Sequence, residues 1–221
     1  MAIIYCIPGT GADGRLFSKL RLGDHEIRHV KWILPHRREK LQHYALRLAE
    51  QMDTTHPFAL AGVSLGGMLC ASLTEELKPI RTFVIAGSKC RSELPPKLRL
   101  LKYFPFYRLL HDRAYVHGAL LSRRIFGYKG KADGRLFRDM LNSAPEGYYR
   151  RATDCVVSWD AESYPEGIIH IHGNRDRMLP IDWVKADYVI DGGSHNLLYD
   201  HSDQISDIIK KELEMAVAKD K

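Results

Sequence analysis

Three stretches of this chain place a hydroxyl, an imidazole and a carboxylate where they could work together. Ser64 lies in Gly62-Val63-Ser64-Leu65-Gly66, with the β-type run Pro57-Phe58-Ala59-Leu60-Ala61 before it and a helix-type run from Met68 to Leu77 after it. A serine hydroxyl becomes a useful nucleophile only when it is exposed and a base accepts its proton. A sharp strand-to-helix turn gives the exposure, provided small residues let strand and helix approach closely. Gly62, Gly66 and Gly67 meet that need. The turn also aims the unpaired N–H groups of a helix N-terminus at the reacting centre.

A base and an acid follow further along. Gly167-Ile168-Ile169-His170-Ile171 reads as a buried strand and runs into His172-Gly173-Asn174-Arg175-Asp176-Arg177-Met178-Leu179-Pro180. Another strand-type run, Ala186-Asp187-Tyr188-Val189-Ile190, ends in Asp191-Gly192-Gly193-Ser194-His195-Asn196. Asp176 and His195 therefore fall after the C-terminal ends of successive strands, where an open parallel sheet gathers its functional groups. The chain order serine, acid, histidine is that of a strand–turn–helix nucleophile device. Asp154, Asp160 and Glu93 remain alternative acids under a different threading.

The elements needed to position these groups are present. Strand-type runs occur near residues 2–7, 27–33, 58–63, 81–87, 167–172 and 187–191. Helical patterns separate most of them, notably Glu39 to Met52 and Leu65 to Lys78, and a last helix is expected from about Gln204 to Ala216. Strands alternating with helices predict a parallel sheet covered on both faces.

With these motifs in this order, the chain resembles the α/β-hydrolase superfamily over nearly its whole length, as a small single-domain member with a helical cap. The resemblance implies a three-layer α/β fold with six parallel strands in the order 2-1-3-4-5-6 and right-handed crossovers. The antiparallel hairpin that opens the family's larger sheet is not expected, because the first strand starts at residue 2. Residues 1–91 and 166–221 would form the core and residues 92–165 an inserted cap. By matching position Ser64 would be the nucleophile, His195 the general base and Asp176 the acid that orients it. The oxyanion donors would be the backbone N–H groups of Thr10 and Leu65. Pro8-Gly9-Thr10-Gly11 departs from the family pattern at Pro8, where histidine is frequent. The implied activity is a serine hydrolase cleaving a small carboxylic ester or thioester through an acyl-enzyme. Two other readings stay open: carbon–carbon cleavage or elimination with the same three groups acting as a base, and a non-catalytic protein that binds a polyanion.

Composition narrows the partners. The 221 residues are 45% hydrophobic and 27% charged, with a net charge of +6, as in a soluble globular protein. From Lys97 to Arg138 there are eleven Lys or Arg against Asp112 and Asp133, a net of +9; the remaining 22 bases and 25 acids sum to −3. Eight aromatic residues interleave this segment. It reads as a solvated helical surface, as a mouth that draws in an anionic substrate, or as a patch for nucleic acid or an anionic membrane. The expected partner is a small acyl substrate, with an anionic one favoured among the function-bearing readings and nucleic acid not expected.

No cofactor or metal is expected. Gly9, Gly11 and Gly14 follow a strand without the acidic or lysine partners of a nucleotide fingerprint. His170 and His172 share one strand face, a spacing that can chelate, but no third ligand falls beside them, so a structural role is favoured. Cys6, Cys70, Cys90 and Cys155 read as small buried hydrophobes rather than a disulfide framework. The longest weakly polar stretch, Phe58 to Leu73, is too short to span a membrane. With no secretory leader apparent ahead of the first strand, these features point to the cytoplasm. Ala-Asp-Gly-Arg-Leu-Phe occurs at 12–17 and again at 132–137, each copy predicting a turn and a helix start.

Overall fold

Every residue of Phe58–Val63 is buried, as a strand covered on both faces requires. In the computed structural model, which describes residues 1–219, this strand is β3 of a six-stranded sheet. The others are β1 (Ile3–Ile7), β2 (Glu26–His29), β4 (Arg81–Ile85), β5 (Ile168–Gly173) and β6 (Tyr188–Ile190). All pairings are parallel and the order is β2-β1-β3-β4-β5-β6, as expected.

Helices cover the sheet because their apolar stripes have nowhere else to go. In α1 (Leu41–Ala49), Leu41, Tyr44, Ala45 and Leu48 are buried, the i, i+3, i+4, i+7 pattern of one face. The helix α2 (Leu65–Leu77) is buried nearly all round, wedged between α1 and strands β1, β3 and β4. Near the C-terminus a short α7 (Leu197–Asp200) leads into α8 (Ser202–Lys219), whose Ile205, Ile208, Ile209 and Leu213 are buried and which packs against β4.

Residues 92–165 contribute no strand. They form α3 (Pro96–Leu100), α4 (Asp112–Leu121), α5 (Lys131–Leu141) and α6 (Tyr148–Ser158), with short 3-10 turns between. Their apolar faces join the main core: Phe137, Met140, Tyr148, Ala152 and Cys155 are buried in the same cluster as β1 and β3. Both Ala-Asp-Gly-Arg-Leu-Phe copies start helical turns. Asp13 caps the first through the Arg15 N–H, and Asp133 accepts from the Gly130 N–H at the start of α5.

The helix expected from Glu39 to Met52 is shorter, Leu41–Ala49, the last one longer, and two strand boundaries differ from expectation for identifiable reasons. The run 27–33 pairs with β1 only as far as His29, because Trp32 leaves the sheet. Its indole stacks on Tyr44 and packs on Tyr148, and its N–H donates to the Ala12 carbonyl. The strand expected over 81–87 ends at Ile85, where Ala86 adopts a positive φ of 45° and turns the chain away. All four cysteines are free and buried. Burial pushes the thiols of Cys6, Cys70 and Cys155 up, so they remain neutral. Among the described residues, no helix is long and apolar enough to cross a membrane.

Candidate active site

Three glycines make the turn between β3 and α2 possible. A Cβ on Gly62 would overlap the Gly66 carbonyl, and one on Gly66 would overlap the carbonyl oxygens of Ile7 and Pro8. The helix thus starts against the end of β1 with no space to spare. Ser64, at the apex, has φ 54° and ψ −117°, a conformation that a residue with a side chain rarely adopts. It is held by its N–H donating to the Ile85 carbonyl (2.9 Å) and its carbonyl accepting from Met68 (3.2 Å). Gly66→Ala is expected to lower stability by about 3 kcal/mol or more, because backbone rather than a flexible side chain must give way. Thermal denaturation of the variant checks this; an unchanged Tm would contradict the tight turn.

The loops after β5 and β6 are stitched together, and this brings Asp176 to His195. Arg175 N–H donates to the Gly193 carbonyl (2.9 Å), and Gly192 N–H donates to Asn174 Oδ1 (2.8 Å). A Cβ on Gly173 would overlap the Gly193 carbonyl, so the glycines ahead of His195 permit the close approach. His195 Nδ1 lies 2.7 Å from Asp176 Oδ2, and His195 Nε2 lies 3.0 Å from Ser64 Oγ. The second carboxylate oxygen, Oδ1, accepts the N–H groups of Met178 (2.8 Å) and Leu179 (2.9 Å). Phe126, from the helical segment, sets its ring edge-on to the His195 imidazole.

Burial pushes the Asp176 carboxyl upward, but the His195 imidazole and the Leu179 N–H outweigh it, so the group is held below the usual carboxylate range. A carboxyl held low stays ionised until the pH falls through its folded value, beneath its unfolded one. It is therefore an acceptor at any working pH, which fixes the His195 proton on Nδ1 and leaves a lone pair at Nε2 facing the serine.

The alternative acids are engaged elsewhere. Asp154 accepts from Tyr107 Oη (2.7 Å) and pairs with Arg108 (2.8 Å), Asp160 pairs with Lys40 (3.3 Å), and Glu93 pairs with Lys89 (3.2 Å). Thr10 and Leu65 both face the cavity over Ser64, and among the described residues neither N–H donates to a protein acceptor. Gly9 is so close to Ser64 that an added Cβ would stand 3.3 Å from the serine Cβ. His170 and His172 do not present a chelating pair: their rings are hydrogen-bonded to each other (3.1 Å).

Above Ser64 is a cavity of about 250 Å³. Leu16 and Met68 line it from the sheet side, and Leu98, Tyr115, Phe126, Phe137 and Val156 from the helical segment. Among the described residues its walls include no Lys, Arg, Asp or Glu. The basic excess of the helical segment points outward instead, with nine of its eleven cations exposed and Arg99 and Arg123 half-buried. The expectation of an anionic substrate thus finds no counter-charge in the cavity. Its neutral wall is what the reading of the sequence missed. The signal was the spacing of Phe137, Met140 and Leu141 against Arg135 and Arg138, which puts the two sets on different faces of α5.

No family model matches the chain, and no curated protein matches it in sequence. Solved structures do match its fold. An enol-lactonase from Burkholderia xenovorans LB400 superposes with a TM-score of 0.73 at 12% identity, over 96% of this chain and 91% of that one. A thermophilic esterase from Thermogutta terrifontis gives 0.69 at 12% identity, over 98% and 90%. A type II thioesterase from the yersiniabactin NRPS/PKS biosynthetic pathway gives 0.60 at 17% identity, over 97% and 94%.

Proposed function

On the α/β-hydrolase fold that this chain has, we propose that it is a serine hydrolase which cleaves a small, uncharged carboxylic ester or thioester through an acyl-enzyme. What supports this is the unbroken hydrogen-bond line from Asp176 through His195 to Ser64, opening into an apolar cavity. The fold neighbours that are esterases, a lactonase and a thioesterase agree with the reaction class.

Ser64 Oγ attacks the carbonyl carbon while His195 Nε2 takes its proton. The carbonyl π pair moves onto oxygen, and the N–H groups of Thr10 and Leu65 receive the developing oxyanion. When the tetrahedral intermediate collapses, the leaving alkoxide or thiolate takes the proton from His195. Water then repeats the sequence on the acyl-enzyme, and Ser64 leaves with its proton restored. Asp176 keeps the imidazole oriented and stabilises its charged form in both halves. Residues 92–165 act as the cap that completes the acyl pocket and keeps water out.

The wall chemistry selects the acyl group. A carboxylate placed in this cavity would meet no cation, and an unpaired buried charge is costly. For a neutral acyl ester and a half-ester of a dicarboxylic acid of the same length, kcat/KM is expected to favour the neutral one by at least about ten-fold. A panel of nitrophenyl esters and acyl thioesters, graded in chain length and charge, measures this. Equal or better turnover of the charged series would reject the assignment. No turnover of any ester or thioester, alongside no labelling of Ser64 by a fluorophosphonate, would reject hydrolysis altogether.

A further inference from the structure

Behind Asp176 runs a second line of buried polar groups that acyl transfer does not use. Lys89, Glu93, His170 and His172 are each at most 5% exposed. The Lys89 ammonium lies 3.2 Å from Glu93 Oε1, reaches the Lys185 carbonyl, and lies 3.3 Å from His170 Nδ1. Glu93 is held in turn by the backbone N–H groups of Lys89 (2.7 Å) and Lys185 (3.1 Å). His170 Nε2 is 3.1 Å from His172 Nδ1, and His172 Nε2 is 2.8 Å from the Leu179 carbonyl. Leu179 also donates its N–H to Asp176 Oδ1.

Donor and acceptor capacity fixes the direction of every proton in this line. An ammonium carries three protons and no lone pair, so His170 Nδ1 must accept. A neutral His170 then holds its proton on Nε2 and donates to His172 Nδ1. His172 is left with its proton on Nε2, aimed at a carbonyl that can only accept. Both rings are neutral: burial pushes each below the usual imidazole range, and for His170 the neighbouring ring and the Lys89 charge push the same way.

The neutrality of His172 matters because its Nε2 is also 3.6 Å from Asp176 Oδ2, the oxygen that engages His195. A charged His172 would compete for that oxygen. We propose that Lys89, His170 and His172 form a positioning device for the catalytic imidazole. By locking His172 as its neutral Nε2–H tautomer, the line anchors the Leu179 carbonyl and reserves Asp176 Oδ2 for His195. None of the three touches the cavity; they act through the Asp176 loop. The ionisable groups facing the pair are Asp176, His195 and Glu93 around His172, with Lys89 (3.3 Å) and Glu93 Oε2 (3.9 Å) beside His170 Nδ1. The Asp187 carboxylate accepts the backbone N–H of His170 (2.7 Å). The effect on rate rests on the hydrolase reading, whereas the tautomers do not.

The test compares the wild type with Lys89→Met/Glu93→Gln, which removes the ammonium without leaving a lone carboxylate buried. Imidazole 1H–15N spectra from pH 5 to 9 read the rings directly. In the wild type, His170 and His172 should hold the Nε2–H form from neutral pH upward, beside a downfield resonance from the His195 Nδ1 proton. In the double variant no ammonium dictates the His170 tautomer, so both rings should populate the Nδ1–H form as well, and the downfield resonance should weaken as the His172–Leu179 bond is lost. Activity is read with a neutral nitrophenyl ester. The fall in kcat should be about ten-fold, the scale seen when a partner that orients a functional imidazole is removed, with little change in KM. Adding His172→Gln, whose amide N–H can donate to the Leu179 carbonyl whatever the His170 tautomer, should restore part of the lost kcat. An Nδ1–H tautomer at either ring of the wild type would overturn the assignment. So would a double variant whose rings both keep the Nε2–H form and whose kcat matches the wild type. Spectra that behave as expected in a protein that hydrolyses no ester would instead remove the hydrolase reading and leave the locked tautomers standing.

Discussion

Ser64→Ala is expected to abolish labelling by a fluorophosphonate and to cut ester turnover by about 10⁶-fold in kcat, the loss typical of removing a serine nucleophile. Without Oγ there is no atom on which the acyl group can reside, so the burst of leaving group that marks acyl-enzyme formation should vanish with it. Residual activity should remain above that of water, since the Thr10 and Leu65 amides and the cavity are untouched. Binding should change little, because the hydroxyl is a small part of a mostly apolar wall. Nor should the fold suffer: alanine meets the same φ of 54° that serine already tolerates, and the bonds to Ile85 and Met68 are made by backbone atoms. An unchanged Tm with lost labelling therefore isolates chemistry from stability. Persistent burst kinetics in this variant would mean that another residue carries the acyl group.

Much of this architecture was legible because its signals are local. Gly62, Ser64 and Gly66 announce a turn within five residues, the run at 58–63 is short and apolar on both faces, and the run at 168–171 is short and broken only by His170. The stripe of α1 repeats at helical spacing, and the strand order is the one that the resemblance to the α/β-hydrolase superfamily implies. What was not legible depends on contacts between distant positions. Trp32 looks like a strand residue until Tyr44 and Tyr148 are brought beside it. Lys89 and His170 are 81 positions apart, and nothing around either one signals the other. The charge of the helical segment misleads for a different reason. A count over Lys97 to Arg138 sums all faces of each helix, whereas the cavity meets only the apolar ones.

Among the candidate acids, geometry separates what sequence left open. Asp176→Asn is therefore the most informative change after Ser64, with an expected loss of about 10⁴-fold in kcat and little change in KM. The asparagine can keep its oxygen on the Met178 and Leu179 N–H groups, so the loop has no reason to move. Its amide nitrogen then faces His195 Nδ1, donor against donor, unless the imidazole shifts its proton to Nε2. That shift satisfies the new contact and ruins the old one, because the atom 3.0 Å from Ser64 Oγ now carries a hydrogen where a lone pair is required. The variant should thus fold, bind substrate and fail to deprotonate its nucleophile. The wild-type pH profile should show the same division of labour. With the Asp176 carboxyl held below its ordinary value, the acceptor for His195 Nδ1 should stay ionised until the pH falls below the usual carboxylate range, so a loss of kcat/KM above that range should not trace to Asp176. If Asp176→Asn instead kept more than about a tenth of wild-type turnover, a different acid would have to be assigned, since orienting carboxylates contribute far more than that. Glu93, Asp154 and Asp160 could take the role only by abandoning Lys89, Arg108 and Lys40.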